Sequence, residues 1–165
     1  MGVKVNPIDI TNELLWQSRF GDSAKVAADA ADNLKKAEKA DYPKGIAYAS
    51  LNIAAANFYQ SKNDAALKHL SESFHWFEEN KKEKGYVRAL LLKGNIFESF
   101  GDYEKTLQLW LDAYKTSAEI NDKECEGESC SQLGLIYSRL CNFPKSLEFF
   151  NRGLKIREEF MDENG

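Results

Sequence analysis

Residues 94–113 read Gly94-Asn95-Ile96-Phe97-Glu98-Ser99-Phe100-Gly101-Asp102-Tyr103-Glu104-Lys105-Thr106-Leu107-Gln108-Leu109-Trp110-Leu111-Asp112-Ala113. Gly101-Asp102 is a small, polar pair suited to a tight turn between helices. After it, Thr106, Leu107, Trp110, Ala113 and Tyr114 stand at i, i+1, i+4, i+7 and i+8. That is the one-face spacing of an amphipathic helix. Small residues at the first and fourth of these positions let a neighbouring helix approach. The large ones between them fill the space on either side.

The same arrangement recurs at a step of 40 residues along the chain. The turn column reads Gly21-Asp22, Ser61-Lys62, Gly101-Asp102 and Cys141-Asn142. Behind it come the small column Val26, Ala66, Thr106, Ser146 and the column Ala27, Leu67, Leu107, Leu147. Next are Ala30, Leu70, Trp110, Phe150, then Asn33, Ser73, Ala113, Gly153, and finally Leu34, Phe74, Tyr114, Leu154. A helix-length segment precedes each of the last three turns, over residues 45–60, 85–100 and 127–140. It carries a small column of its own, Ala54, Gly94 and Gly134. Glycine inside a helix costs about 1 kcal/mol relative to alanine, so glycines in register predict a close helix crossing. The leading segment of the first repeat, about Ile8 to Phe20, lacks the small column. End repeats are often atypical because one face has no neighbour. Pro7, Pro43 and Pro144 sit at helix starts or in linkers, where a missing N–H is harmless. No stretch alternates at period two, so no strand is predicted.

These residues carry a resemblance. Leu133-Gly134-Leu135-Ile136-Tyr137, Asn142-Phe143-Pro144-Lys145-Ser146-Leu147, Phe150 and Gly153 resemble a tetratricopeptide (TPR) repeat, as does the stretch from Gly94 to Ala113. The usual period is about 34 residues. The longer one is similar to the TPR variant with extended second helices, found in signalling and adaptor proteins. Lys93 stands where the pattern has leucine before the glycine, and the helix-ending proline is absent. The resemblance implies an all-α fold, a right-handed α-solenoid of about four antiparallel helix pairs, eight helices in all. First helices would line a concave groove and second helices its convex back. The expectation is a single domain over residues 1–165, with repeats at about 7–40, 45–80, 85–120 and 127–160. Two further steps of 40 from Gly85 reach Gly165. Residues 162–165 therefore read as the linker into a fifth repeat of a longer protein.

Composition excludes several function classes. Hydrophobic residues make up 43% of the chain and charged residues 29%, too apolar for a disordered protein. Twenty-six acidic residues outnumber 22 basic ones, which argues against nucleic acid as a partner. No apolar run reaches the roughly 20 residues of a membrane span. Gly2 invites a myristoylation reading, but Asn6 stands where Ser or Thr is wanted. Cys125, Cys130 and Cys141 form neither a disulfide framework nor a zinc pattern, and His69 and His75 lie far from them. The cysteines read as reduced residues of a cytoplasmic protein. Cys130 reads as a small packing residue. Glu78-Glu79 and Glu158-Glu159 are helix neighbours that point apart. No catalytic constellation, metal site or cofactor motif is expected.

The expected function is therefore binding. The 3.6-residue period assigns Tyr48, Leu51, Ala55 and Phe58 to the groove in the second repeat. In the third it assigns Arg88, Leu91, Asn95 and Glu98, and in the fourth Glu128, Ser131, Leu135 and Ser138, with Arg139 at the edge. The first repeat offers Thr11, Leu15 and Ser18. Asn95 can grip a peptide backbone with donor and acceptor together, Arg88 can pair with a carboxylate, and Tyr48 and Phe58 can pack apolar side chains. The leading expectation is a non-catalytic scaffold module for a protein or peptide. The alternative is the sensory or regulatory region of a bacterial multidomain signalling protein (kinase, cyclase or transcription regulator). Self-association through end repeats is a third.

Overall fold

The computed structural model describes residues 5–164, with side chains placed to Met161. Gly2 and Gly165, on which the lipidation and linker readings rest, lie outside that range. Eight helices follow one another: α1 (Pro7–Gln17), α2 (Ser23–Lys39), α3 (Pro43–Tyr59), α4 (Asn63–Glu79), α5 (Lys84–Ser99), α6 (Tyr103–Glu119), α7 (Lys123–Arg139) and α8 (Phe143–Asn164). There is no strand among the described residues. The chain divides after Asn80 into two compact units, each holding two helix pairs.

Five of the connections share one three-residue design. The middle residue is left-handed: Asp41 (φ 47°), Ser61 (59°), Gly101 (78°), Asn121 (60°) and Cys141 (56°). The next N–H then reaches back five residues. Tyr42 donates to the Ala37 carbonyl at 3.0 Å, Lys62 to Asn57 at 2.9 Å, Asp102 to Phe97 at 3.0 Å, Asp122 to Ser117 at 3.0 Å and Asn142 to Tyr137 at 2.8 Å. This is the Schellman closure, which satisfies carbonyls orphaned at a helix end. The residue making the bond is also the N-cap of the next helix. Asp102, Asp122 and Asn142 accept from the backbone N–H of Lys105, Cys125 and Lys145. One short segment thus ends one helix and begins the next. A 17-residue helix plus this turn is half of the 40-residue period.

Three boundaries differ from the sequence reading. The α1–α2 turn runs from Ser18, because α1 ends at Gln17, and Gly21 lies outside the left-handed set. α7 begins at Lys123 rather than Gly127, because Asp122 caps it. Residues 162–164 continue α8 rather than forming a linker.

In the N-terminal unit α3 packs against α1, α2 and α4. It is buried from Ala47 through Ala56, as expected of a helix apolar nearly all round. Leu15, Val26, Ala30, Ile53 and Ala56 form a buried cluster there. A polar knot fixes the register. Asn12 donates to the Gly45 carbonyl at 3.1 Å, Asn33 to the Asn12 side chain at 2.9 Å, and Asn52 to the Asn12 carbonyl at 3.0 Å.

In the C-terminal unit the glycine column explains itself. A Cβ on Gly94 would run into the indole of Trp110, and one on Gly134 would come within 2.6 Å of the Phe150 ring. Each glycine seats an aromatic from the following helix. The hydroxyl one turn before that aromatic closes the seat: Ser146 donates to the Gly134 carbonyl at 2.8 Å, and Thr106 reaches Gly94 at 3.4 Å.

Gly94→Ala is expected to destabilise the protein. Trp110 is fully buried and its Nε1 donates to the Leu91 carbonyl at 3.2 Å, so it cannot yield cheaply. Overpacking costs about 1–3 kcal/mol, above the roughly 1 kcal/mol that alanine's helix preference returns. In a Trp110→Leu background the sign reverses, and thermal denaturation of the four variants measures it. Ser61→Gly should raise stability by about 1 kcal/mol, the cost of a left-handed L-residue. Urea titration reads that gain, and a loss would mean the turn is held by the serine itself.

Candidate functional site

The groove assignment depends on which first-helix residues stay open. In the N-terminal unit Tyr48 is buried, with its ring edge-on to Phe77 at 5.1 Å. Leu51 is also buried, and Phe58 is half-buried against Tyr59. Thr11, Leu15 and Ser18 border a cleft of about 400 Å³ shared with Lys25, Asp29, Asp32 and Lys36 of α2. Thr11 and Ser18 turn their hydroxyls onto the Pro7 and Leu14 carbonyls of their own helix.

In the C-terminal unit Arg88 is 1% exposed and Leu91 2%. Both are corrected from groove to interior, as Leu15, Tyr48, Leu51 and Ala55 are in the other unit. The physical reason is common to all six. A first helix flanked by neighbours on several sides buries far more than one stripe, so periodicity alone overestimates its open face. Arg88 points a guanidinium nitrogen at Glu124 of α7, 3.9 Å away. Ser131 is corrected too, because it accepts from Arg157 at 2.6 Å and donates to the Gly127 carbonyl, which commits it to α8.

The remaining residues come together. Asn95 of α5 accepts from Nε2 of Gln132 on α7 at 2.8 Å. One turn on, Glu98 accepts from Nε of Arg139 at 2.8 Å, with the pair partly exposed. Leu135, between Gln132 and Arg139 on the same face of α7, is 46% exposed. Two first helices are thus tied by a row of polar contacts, and an open leucine stands beside the row. Exposure keeps the ion pair to about 1 kcal/mol or less. The amide pair is more suggestive. Its bond uses one donor of Gln132 and the acceptor of Asn95, which leaves Asn95 Nδ2 as a donor and Gln132 Oε1 as an acceptor.

Gln132 was missed by the sequence reading, which took its neighbour Ser131. A signal existed. At the 40-residue step Gln132 falls in the column Asn12, Asn52, Leu92, Gln132, an amide in three of four repeats, and the first two of these bond across first helices.

Other reactive groups are quiet. Burial pushes the Cys130 thiol up to about 11, with Glu126 adding to it, and the residue packs 3.0 Å from where a Gly153 Cβ would stand. Burial, aided by Asp122, lifts Cys125 further still. His69 contacts Glu72 at 3.0 Å on the surface of α4. Among the described residues no group of three His, Cys, Asp or Glu could hold a metal, and no helix is long and apolar enough to cross a membrane.

No protein-family model matches the sequence, and no curated protein does. Solved structures do. The chain is similar to BtubC (BKLC) from P. vanneervenii, with a TM-score of 0.71 at 16% identity over 96% of this chain and 67% of that one. Two structures of MamA match with TM-scores of 0.56 and 0.53 at 16% and 17% identity. The first covers 97% of this chain and 99% of the other, and the second 94% of each. At such identity the likeness shows the fold, a TPR-like helical repeat.

The cysteines give a direct check on this chemistry. Thiolate is the reactive form, so a disulfide reagent at pH 8 should modify one thiol per native chain, the exposed Cys141, and three after unfolding. Fast labelling of a second thiol in the native protein would refute the packing roles of Cys125 and Cys130.

Proposed function

We propose that the chain is a non-catalytic interaction module that binds an extended peptide segment of a protein partner along the first-helix row of its C-terminal unit. The observation that carries the reading is the Asn95–Gln132 pair. The donor and acceptor that its bond leaves uncommitted match the alternating C=O and N–H of an extended backbone. Leu135 offers an apolar seat next to it, and Glu98 with Arg139 sets a polar end one turn away. Backbone bonds of this kind give affinity, and the neighbouring side-chain seats give selectivity.

The TPR-like fold supports the reading, because stacked helix pairs present extended surface of this type. The buried thiols of Cys125 and Cys130, which burial holds in the protonated form, support a binding role over a catalytic one. The proposal narrows the groove set to Asn95, Glu98, Gln132, Leu135 and Arg139.

The test is selection from a random peptide display library, followed by titration of the recovered peptides. Asn95→Ala with Gln132→Ala should weaken binding by about tenfold or more, the worth of one or two net hydrogen bonds. Leu135→Asp should act similarly. Helical content should stay unchanged in both. Equal affinity for the wild type and both variants would remove the site from this face.

A further inference from the structure

The last helix carries an apolar arc wider than its own unit uses. Ser146, Phe149, Gly153 and Ile156 are buried. A second stripe, one residue out of phase, is open to solvent: Phe143 (63% exposed), Leu147 (62%), Phe150 (40%), Leu154 (56%) and Met161 (71%). The equivalent positions on α6, one 40-residue step earlier, are Leu107, Trp110 and Tyr114. There Trp110 is fully buried and the other two are half-buried, and α7 packs on that helix. On α8 the same columns remain apolar, with Leu147 and Leu154 more than half exposed and Phe150, seated on Gly134, still 40% exposed. α8 is also longer than the second helices before it, 22 residues against 17. Its added turns extend the stripe to Met161.

The structure assigns this stripe, we propose, to a second copy of the same chain, bound α8 to α8 in antiparallel fashion. Three observations favour that occupant. The first is the spacing. Positions 143, 147, 150, 154, 157 and 161 alternate steps of four and three, the seam of a left-handed helix pair. The second is self-complementarity. A two-fold axis at the level of residue 152 sets Phe143 against Met161 of the second copy, Leu147 against Arg157, and Phe150 against Leu154, with the same contacts returned. Arg157 is the single charged residue of the seam. Its guanidinium is held back on α7 by Ser131 and the Gly127 carbonyl, so its aliphatic stem would cover Leu147. The third is area. Five large side chains, each about half exposed, bring roughly 500 Å² per copy and about 1,000 Å² to the pair. That reaches the lower bound of a specific interface. The contact closes on itself and builds a dimer, not a filament.

Sedimentation velocity of the chain from about 1 to 100 µM tests the proposal. The expected result is a monomer–dimer equilibrium with a micromolar dissociation constant. Leu147→Glu with Leu154→Glu should raise that constant about 100-fold while the melting curve holds. Both leucines are exposed, so the variant folds; if it does not, Leu147→Ser with Leu154→Ser serves instead. Register is read by disulfide trapping in a Cys141→Ser background. Phe143→Cys chains mixed with Met161→Cys chains should give the mixed dimer on oxidation, and neither should cross-link with its own kind. A monomer at 100 µM would overturn the proposal and leave the stripe to another helix. A dimer insensitive to the glutamates, or trapped through like positions, would overturn the interface.

Discussion

Everything in the C-terminal unit depends on how closely one helix backbone lets the next approach. Gly94 and Gly134 remove a Cβ where an aromatic ring must lie, and Trp110 and Phe150 supply the rings. In the second repeat the same two columns hold Ala54 and Leu70, both buried. Where the first helix gains a methyl, the partner side chain shrinks. The sum of the two volumes is kept while its division changes, as a packed interior at near-crystalline density requires. Glycine's helix penalty is thereby offset by burial of an indole, among the largest apolar gains a single side chain makes.

The turns convert that local packing into a repeat. Because each Schellman closure is fused to the next N-cap, successive helices are separated by three residues and antiparallel pairing needs no longer loop. Four of the five left-handed positions are not glycine. Each therefore stores about 1 kcal/mol of backbone strain, which the bond from the following N–H and the packing of two helices must exceed. Asn and Asp tolerate that conformation best, and they hold positions 121 and 41. The α1–α2 and α4–α5 connections lie outside this scheme, and α1 is the shortest helix.

The sequence disclosed the repeat, the all-helical class and the turns at Ser61, Gly101 and Cys141, because these follow from spacing alone. It hid the turns at Asp41 and Asn121, whose residues resemble ordinary helix-end polar positions. It also placed the start of α7 four residues late, since Gly127 looks like a boundary and is instead an interior residue against Arg157. The candidate site was half legible. Phase placed Asn95, Glu98, Leu135 and Arg139 on one partly exposed face. Tyr48, Leu51, Arg88 and Leu91 were assigned to an open face because a 3.6-residue period marks directions around a helix, not how many of them are covered. A one-residue phase error exchanged Ser131 for Gln132; the amides at Asn12, Asn52 and Gln132, with Leu92 the exception in that column, were the signal for it.

The polar row between α5 and α7 constrains what can bind there. Glu98 and Arg139 already satisfy each other, so a charged ligand group must share or displace one of them and gains little net energy. The amide pair is different, because its internal bond consumes one donor and one acceptor and leaves a complementary set uncommitted. A ligand that offers both a carbonyl and an N–H at peptide spacing adds bonds without breaking any. Backbone recognition is therefore the inexpensive mode at this surface. In the proposed mode, side-chain selectivity would come from Leu135, a large apolar group open beside the row.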